Sequence, residues 1–168
     1  MGYTLEKLAG DCRFAMDSDS GPPGREKVRA FVAKACSDDT FVNTHLGEDN
    51  KSARKILYED DKHKFCILAH VYEGARSSNP HDHGESWAIY AQASGVTTMT
   101  DWQKIKSPQK GNPGHARKIR DYDLKRGDAF LYNEGDLHSP SRADTTRLIR
   151  VEGKNLAGIS RDSYIPID

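Results

Sequence analysis

The stretch Gly74 to Gly95, GARSSNPHDHGESWAIYAQASG, decides how this chain is read. A turn rich in Ser, Asn and Pro leads into Pro80-His81-Asp82-His83-Gly84. Trp87 to Ser94 then reads as a strand closed by Gly95, because small, β-branched and aromatic residues run unbroken between turn formers. Residues two apart in an extended chain project to the same side, so both imidazoles can address one ion. Imidazole nitrogen suits iron, zinc, copper and nickel.

A third histidine follows a second strand-and-turn unit, Gly127-Asp-Ala-Phe-Leu-Tyr-Asn-Glu-Gly-Asp-Leu-His138. Three such ligands leave coordination positions open for substrate or oxygen. His-x-His alone is weak evidence, and a lone histidine after a strand is weaker. Their combination in this order, each flanked by glycines, is a much stronger signal.

From about residue 54 onward, short strand candidates alternate with Gly, Pro, Asn and Asp: KILY, FCILAHVY, WAIYAQAS, VTTMTDW, DAFLYN and RLIRVEG. The intervening EDDKHK, EGARSSNP, SPQKGNPGH, NEGD and SRADT read as turns, with SPQKGNPGH a surface loop. This density of short strands predicts an antiparallel sandwich or barrel. The region from Thr4 to Leu46 instead favours helix. Leu5, Leu8 and Phe14 or Ala15 share one face, SDSGPPG (residues 18–24) reads as a break, and a second helix is expected from about Arg25 to Ser37 with Val28, Phe31, Val32 and Ala35 inward.

Length and composition bound the function. One domain is expected over residues 1–168, helical over 1–46 and β over about 54–153. Lys+Arg and Asp+Glu each number 25, which lacks the basic footprint of a nucleic-acid binder. No apolar run is long enough to span a bilayer. MGYTLEKLAGD has no basic start followed by an apolar stretch, so the expectation is cytoplasmic. Cys12, Cys36 and Cys66 are odd in number and widely spaced, which argues for reduced, buried thiols.

The two histidine units resemble the paired motifs of the cupin superfamily, and Pro-His-Asp-His, Gly95 and Gly135-Asp-Leu-His138 are similar to the cysteine dioxygenase (thiol dioxygenase) family. The resemblance spans Gly74 to His138, and with flanking strands about Arg54 to Gly153. It implies a mainly β fold, a double-stranded β-helix or jelly-roll barrel behind a short helical N-terminal region. It implies Fe(II) on His81, His83 and His138, with nickel, zinc, manganese and copper as other divalent choices, and O2-dependent oxidation of a thiol to a sulfinate. The expected partners are a small anionic substrate and O2, with neither nucleic acid nor membrane; sheet-edge pairing into a homodimer stays open.

The sequence departs from the family in two places. Many cupins supply a carboxylate four or five residues after the second histidine, where this chain has Trp87 and Ala88; Glu85 is read as a rim carboxylate in the turn rather than a ligand. The family's late Ser-x-His-x-Tyr series is replaced by Leu148-Ile-Arg150-Val-Glu152. Alternation puts Arg150 and Glu152 on one face, and if they face the pocket they must pair. The family's carboxylate-binding arginine falls within about a residue of Arg54, whose planar fork suits an acid group; Lys55 competes for the role, and a surface arginine is the plain reading. Tyr132 is read either as a proton donor to the site or as core. Trp87 and Tyr90 are read as core, with Tyr90 and Gln92 sharing a face, and His70 as a hydrogen-bonded wall residue. His45, His63 and His115 are expected in exposed loops.

Overall fold

The structure is a computed structural model that describes residues 2–168. Three helices open the chain: α1 (Leu5–Ser18), α2 (Pro22–Ser37) and α3 (Asp39–Leu46). Thr4 caps α1 by accepting from the Lys7 amide, and Asp38 caps α3 through the Phe41 amide. The break expected over residues 18–24 is shorter than the sequence suggested. Pro22 and Pro23 form the first turn of α2, where a missing amide hydrogen costs nothing.

Ten strands follow: β1 (Lys55–Glu59), β2 (Cys66–Tyr72), β3 (Arg76–Ser77), β4 (Ala88–Ser94), β5 (Thr97–Lys106), β6 (Gly114–Leu124), β7 (Ala129–Tyr132), β8 (Leu137–Arg142), β9 (Thr146–Glu152) and β10 (Tyr164–Ile167). They form two sheets, ordered β1-β2-β9-β4-β7 and β10-β6-β5-β8-β3. Within them, β2-β9-β4-β7 faces β3-β8-β5-β6, and the chain crosses between sheets at almost every connection. This is the jelly-roll winding. The strand at Tyr164–Ile167 pairs in parallel with β6, so the sheets extend past the expected limit near residue 153. Among the described residues no helix is long and apolar enough to cross a membrane.

The first sheet is covered on both faces, which explains its near-continuous apolar runs. Ile67, Ala69, Ile89, Ala91, Ile149 and Val151 pack against Leu8, Val28, Val32 and Phe41 of the helices. The alternate residues face the second sheet, where Tyr90, Met99, Leu124, Tyr132 and Leu148 form a smaller core. Alternation along β9 therefore sends Leu148, Arg150 and Glu152 between the sheets, and Ile149 and Val151 to the helices. All three cysteines are buried and unpaired. At Gly95, φ is +73°, and an added Cβ would lie 2.5 Å from the Thr145 carbonyl oxygen; only glycine closes β4 so tightly against β9.

Candidate metal centre

The His-x-His pair reaches His138 through the backbone. His81 and His138 exchange two main-chain hydrogen bonds, at 3.0 and 2.9 Å, forming an isolated bridge beside β8. His138 is in turn held opposite Asp101 by the β5–β8 ladder. The three imidazoles converge, their nearest ligand atoms all within 4.8 Å of one another.

Two of the three side chains are prepared as ligands, while His83 Nδ1 accepts from Arg161 at 3.3 Å. Nδ1–H of His81 donates to the Asn79 carbonyl at 2.9 Å, and Nδ1–H of His138 to the Asp136 carbonyl at 3.0 Å. Those bonds place the protons on Nδ1 and leave each Nε2 lone pair free. His83 Nε2 lies 3.1 Å from His138 Nε2. That is close to the roughly 3 Å edge between adjacent nitrogens each about 2.1 Å from one ion. Burial, reinforced by the neighbouring imidazoles and by Arg150, pushes His83 and His138 well below the usual histidine range, and burial also lowers His81. Neutral imidazole is the ligating form, so this donor set fits a divalent metal.

Glu85 stands apart, 93% exposed and 3.7 Å from Lys154. It occupies the rim, as the turn at Gly84-Glu85 predicts, and the nitrogen set has no carboxylate neighbour in the group.

Tyr132 is close to the site but not as a proton donor facing it. Its ring stacks on His138 with centroids 3.9 Å apart, while its hydroxyl is bonded to Tyr122 at 2.5 Å. The hydroxyl that meets the imidazoles belongs to Tyr90, 3.1 Å from His83 Nε2 and 3.4 Å from His138 Nε2. Burial raises the Tyr90 phenol, keeping it protonated. Tyr90 and Gln92 share one face, as alternation along the strand predicts, and from it the Tyr90 hydroxyl reaches the imidazoles rather than serving core packing only.

Arg150 lines the cavity beside His81 and also the adjoining one, whose wall includes Glu152, Arg54 and His70. Glu152 is 1% exposed and accepts from Arg54 at 3.0 and 3.2 Å, from Arg150 at 3.3 Å and from the Leu156 amide at 3.2 Å. Burial alone would raise its pKa; the two guanidiniums reverse that and hold it below the usual glutamate range. Arg54, just before β1, thus reaches the adjoining cavity with its fork occupied by Glu152 and Asn155. Arg150 stacks over the Tyr90 ring, 4.6 Å from its centroid, in direct register across β4 and β9.

Three further arginines border the cavity beside His81. Arg76, Arg142 and Arg161 line a cavity of about 250 Å³ together with Tyr72, His81, Tyr90 and Arg150. Arg142 was legible in principle: His138, Pro140 and Arg142 share one face of β8 by alternation. Reading SRADT as a turn concealed it.

His70 is a buried wall residue, its Nδ1 2.6 Å from the Ala53 carbonyl, and burial followed by the Arg150 charge keeps it neutral. The remaining histidines correct the loop expectation in part. His45 ends α3 and His115 lies on β6, whereas His63 does sit in a turn, against Asp17; all three are half-buried rather than exposed.

No protein-family model matches the chain, and no curated protein shows significant sequence similarity to it. Solved structures similar to it include a cupin superfamily protein from Desulfitobacterium hafniense, with 11% identity, 63% of this chain and 80% of that one covered, and a TM-score of 0.46. A cupin-2 domain protein from Shewanella frigidimarina has 12% identity, coverage of 65% and 88%, and a TM-score of 0.47. A double-stranded β-helix protein from Klebsiella pneumoniae has 14% identity, coverage of 73% and 94%, and a TM-score of 0.46. The likeness to these structures is one of fold.

Proposed function

We propose that this chain is a metal-dependent dioxygenase that converts a small thiol carboxylate and O2 into the corresponding sulfinate, RSH + O2 giving RSO2H. The observation that carries the reading is the set of three neutral imidazoles beside an arginine-lined cavity that His81 and the protonated Tyr90 border. A ferrous ion on His81, His83 and His138 would supply the redox chemistry with O2. The chain supplies position and charge. Arg150 orients the acid group of the substrate, and Arg54 acts through Glu152, which keeps the Arg150 side chain in place. The Tyr90 hydroxyl holds a proton next to the reacting group, and the stacked Tyr132 ring fixes the plane of His138.

A second reading keeps the metal and changes the reaction to C–C cleavage, isomerisation or lyase chemistry with the ion as Lewis acid. The Arg150–Glu152 pair favours it, since that pair stands where the thiol-oxidising family carries its Ser-x-His-x-Tyr series. A non-catalytic, ligand-binding cupin is the remaining alternative.

The test is metal analysis of the purified protein followed by oxygen uptake with a panel of thiol carboxylates. Bound iron and thiol-stimulated uptake support the first reading; turnover of a non-thiol substrate with no uptake on any thiol sinks it. Replacing His138 by Ala is expected to weaken metal binding by at least about 10²-fold, as loss of one of three ligands does more than loss of an outer partner. Unchanged iron occupancy in that variant would remove the assigned centre.

A further inference from the structure

We propose that the cavity beside His81 takes a compact dianion, carrying two carboxylates or a phosphoryl group, with Arg142 and Arg76 holding the charge beyond the first. This rests on the reading of that cavity as the substrate site and narrows the substrate class within it.

The argument begins with strand register. Arg76 on β3 lies directly opposite Arg142 on β8, and like charges in that position repel. Arg142 is only 5% exposed, so water does little to soften the repulsion. Arg150 adds a third guanidinium to the same wall and Arg161 a fourth. Only one of the four has an acidic partner. Glu152 reaches Arg150, whereas among the described residues no carboxylate lies within ion-pair distance of Arg76, Arg142 or Arg161. The whole chain carries balanced charge, so this excess is local.

The arginines are also pre-set. Nε of Arg142 donates to Thr97 Oγ1 at 3.2 Å, and Thr97 donates onward to Gln92 at 3.0 Å. That chain fixes the stem and leaves both terminal nitrogens of Arg142 without a protein partner. The guanidinium carbons of Arg142 and Arg76 lie 4.6 and 4.7 Å from the centroid of the Tyr72 ring. Both cations thus share one aromatic ring, whose cation–π attraction offsets their mutual repulsion only in part. The buried Nε of Arg150 has no partner. Buried polar groups are normally satisfied, and an anion in this space would supply acceptors to the two free terminal nitrogens of Arg142. A single carboxylate on Arg150 would leave Arg142 and Arg76 facing each other; a second negative charge would neutralise them. The volume of about 250 Å³ lies below the usual range for drug-sized ligands, which limits the dianion to a small metabolite.

The experiment titrates iron-loaded protein under anaerobic conditions with propionate, succinate and inorganic phosphate, by calorimetry at fixed ionic strength and pH 7.5. Succinate or phosphate is expected to bind at least about tenfold tighter than propionate, the value of one charge-assisted contact. Succinate preference identifies a dicarboxylate, and phosphate preference a phosphoryl group. R142Q is expected to abolish that preference; because Arg142 is buried, R76Q at the exposed rim provides a second variant and is expected to reduce it about threefold or more. Equal affinity for all three anions, or an undiminished preference in a folded R142Q or R76Q protein, overturns the proposal. Oxygen uptake with mercaptosuccinate and 3-mercaptopropionate separates the two readings. Failure of both thiols with the binding preference intact removes thiol oxidation alone, and oxidation of both at equal kcat/KM with no binding preference removes the dianion alone.

Discussion

Replacing Glu152 by Gln tests whether the cavity wall is held together by charge. The glutamate is 1% exposed, while Arg150 and Arg54 keep 12% and 31% of their side-chain surface. At an effective dielectric constant of about 20, unit charges about 4 Å apart attract by about 4 kcal/mol, and Glu152 faces two cations. Glutamine keeps the shape but leaves two guanidiniums crowded without a counter-charge. Removing one partner of a buried pair costs about 3–5 kcal/mol. Arg54 recovers some hydration at its exposed edge, so the expected loss is about 2–4 kcal/mol. For a chain of this length each kcal/mol shifts Tm by about 2–4 °C, giving a fall of roughly 5–15 °C. Urea unfolding of the metal-free protein measures the loss directly, and a double-mutant cycle with Arg54→Met isolates the Arg54–Glu152 coupling. A loss under about 1 kcal/mol with coupling near zero would refute the ion-pair account of this wall.

Further outcomes follow from the buried imidazoles and the phenol. His70, His81, His83 and His138 are all depressed below their ordinary pKa of 6.5 in the folded protein. The unfolded chain therefore binds more protons than the folded one below about pH 6.5, and the stability present above that pH is lost as pH falls, by up to about 1.4 kcal/mol per unit for each group. Denaturant titrations of metal-free protein between pH 7.5 and 5 read this slope; a flat profile contradicts neutral burial. Replacing Tyr90 by Phe is expected to keep metal occupancy within about twofold while lowering turnover by about 10²-fold, the lower range for a lost proton-transfer group. Wild-type turnover in that variant would reduce Tyr90 to packing.

The histidines were legible because a two-residue spacing and a strand-to-turn context carry geometric content on their own. The helical region and six of the strands were legible for the same reason, through their apolar periodicity. The strand at Gly114–Leu124 was not, because its middle is exposed and charged; with only its ends buried it shows no alternation of apolar residues. Pro140 and the polar run after it hid β8 in the same way, and Arg142 with it. The facing of Arg150 and Glu152 needed knowledge of which side the helices cover. Local pattern gives two faces to a strand but does not say which layer each one meets. Tyr132 and Tyr90 illustrate a finer limit: both lie near the imidazoles, and only the direction of each hydroxyl separates their roles.

The backbone bridge between His81 and His138 has a consequence for the order in which the centre is made. His83 and His138 are separated by 55 positions in the chain, so an unfolded polypeptide offers an ion at most the His-x-His pair at no closure cost. The third nitrogen arrives only once β8 has docked on β5. Tight binding is then a property of the closed jelly roll, and the ion acts as a clasp that draws its strength from a strand pairing distant in sequence. Loosening the β5–β8 ladder far from any ligand will raise the rate of metal release, and release under mild denaturant will report the first opening of that ladder before the helical layer comes away.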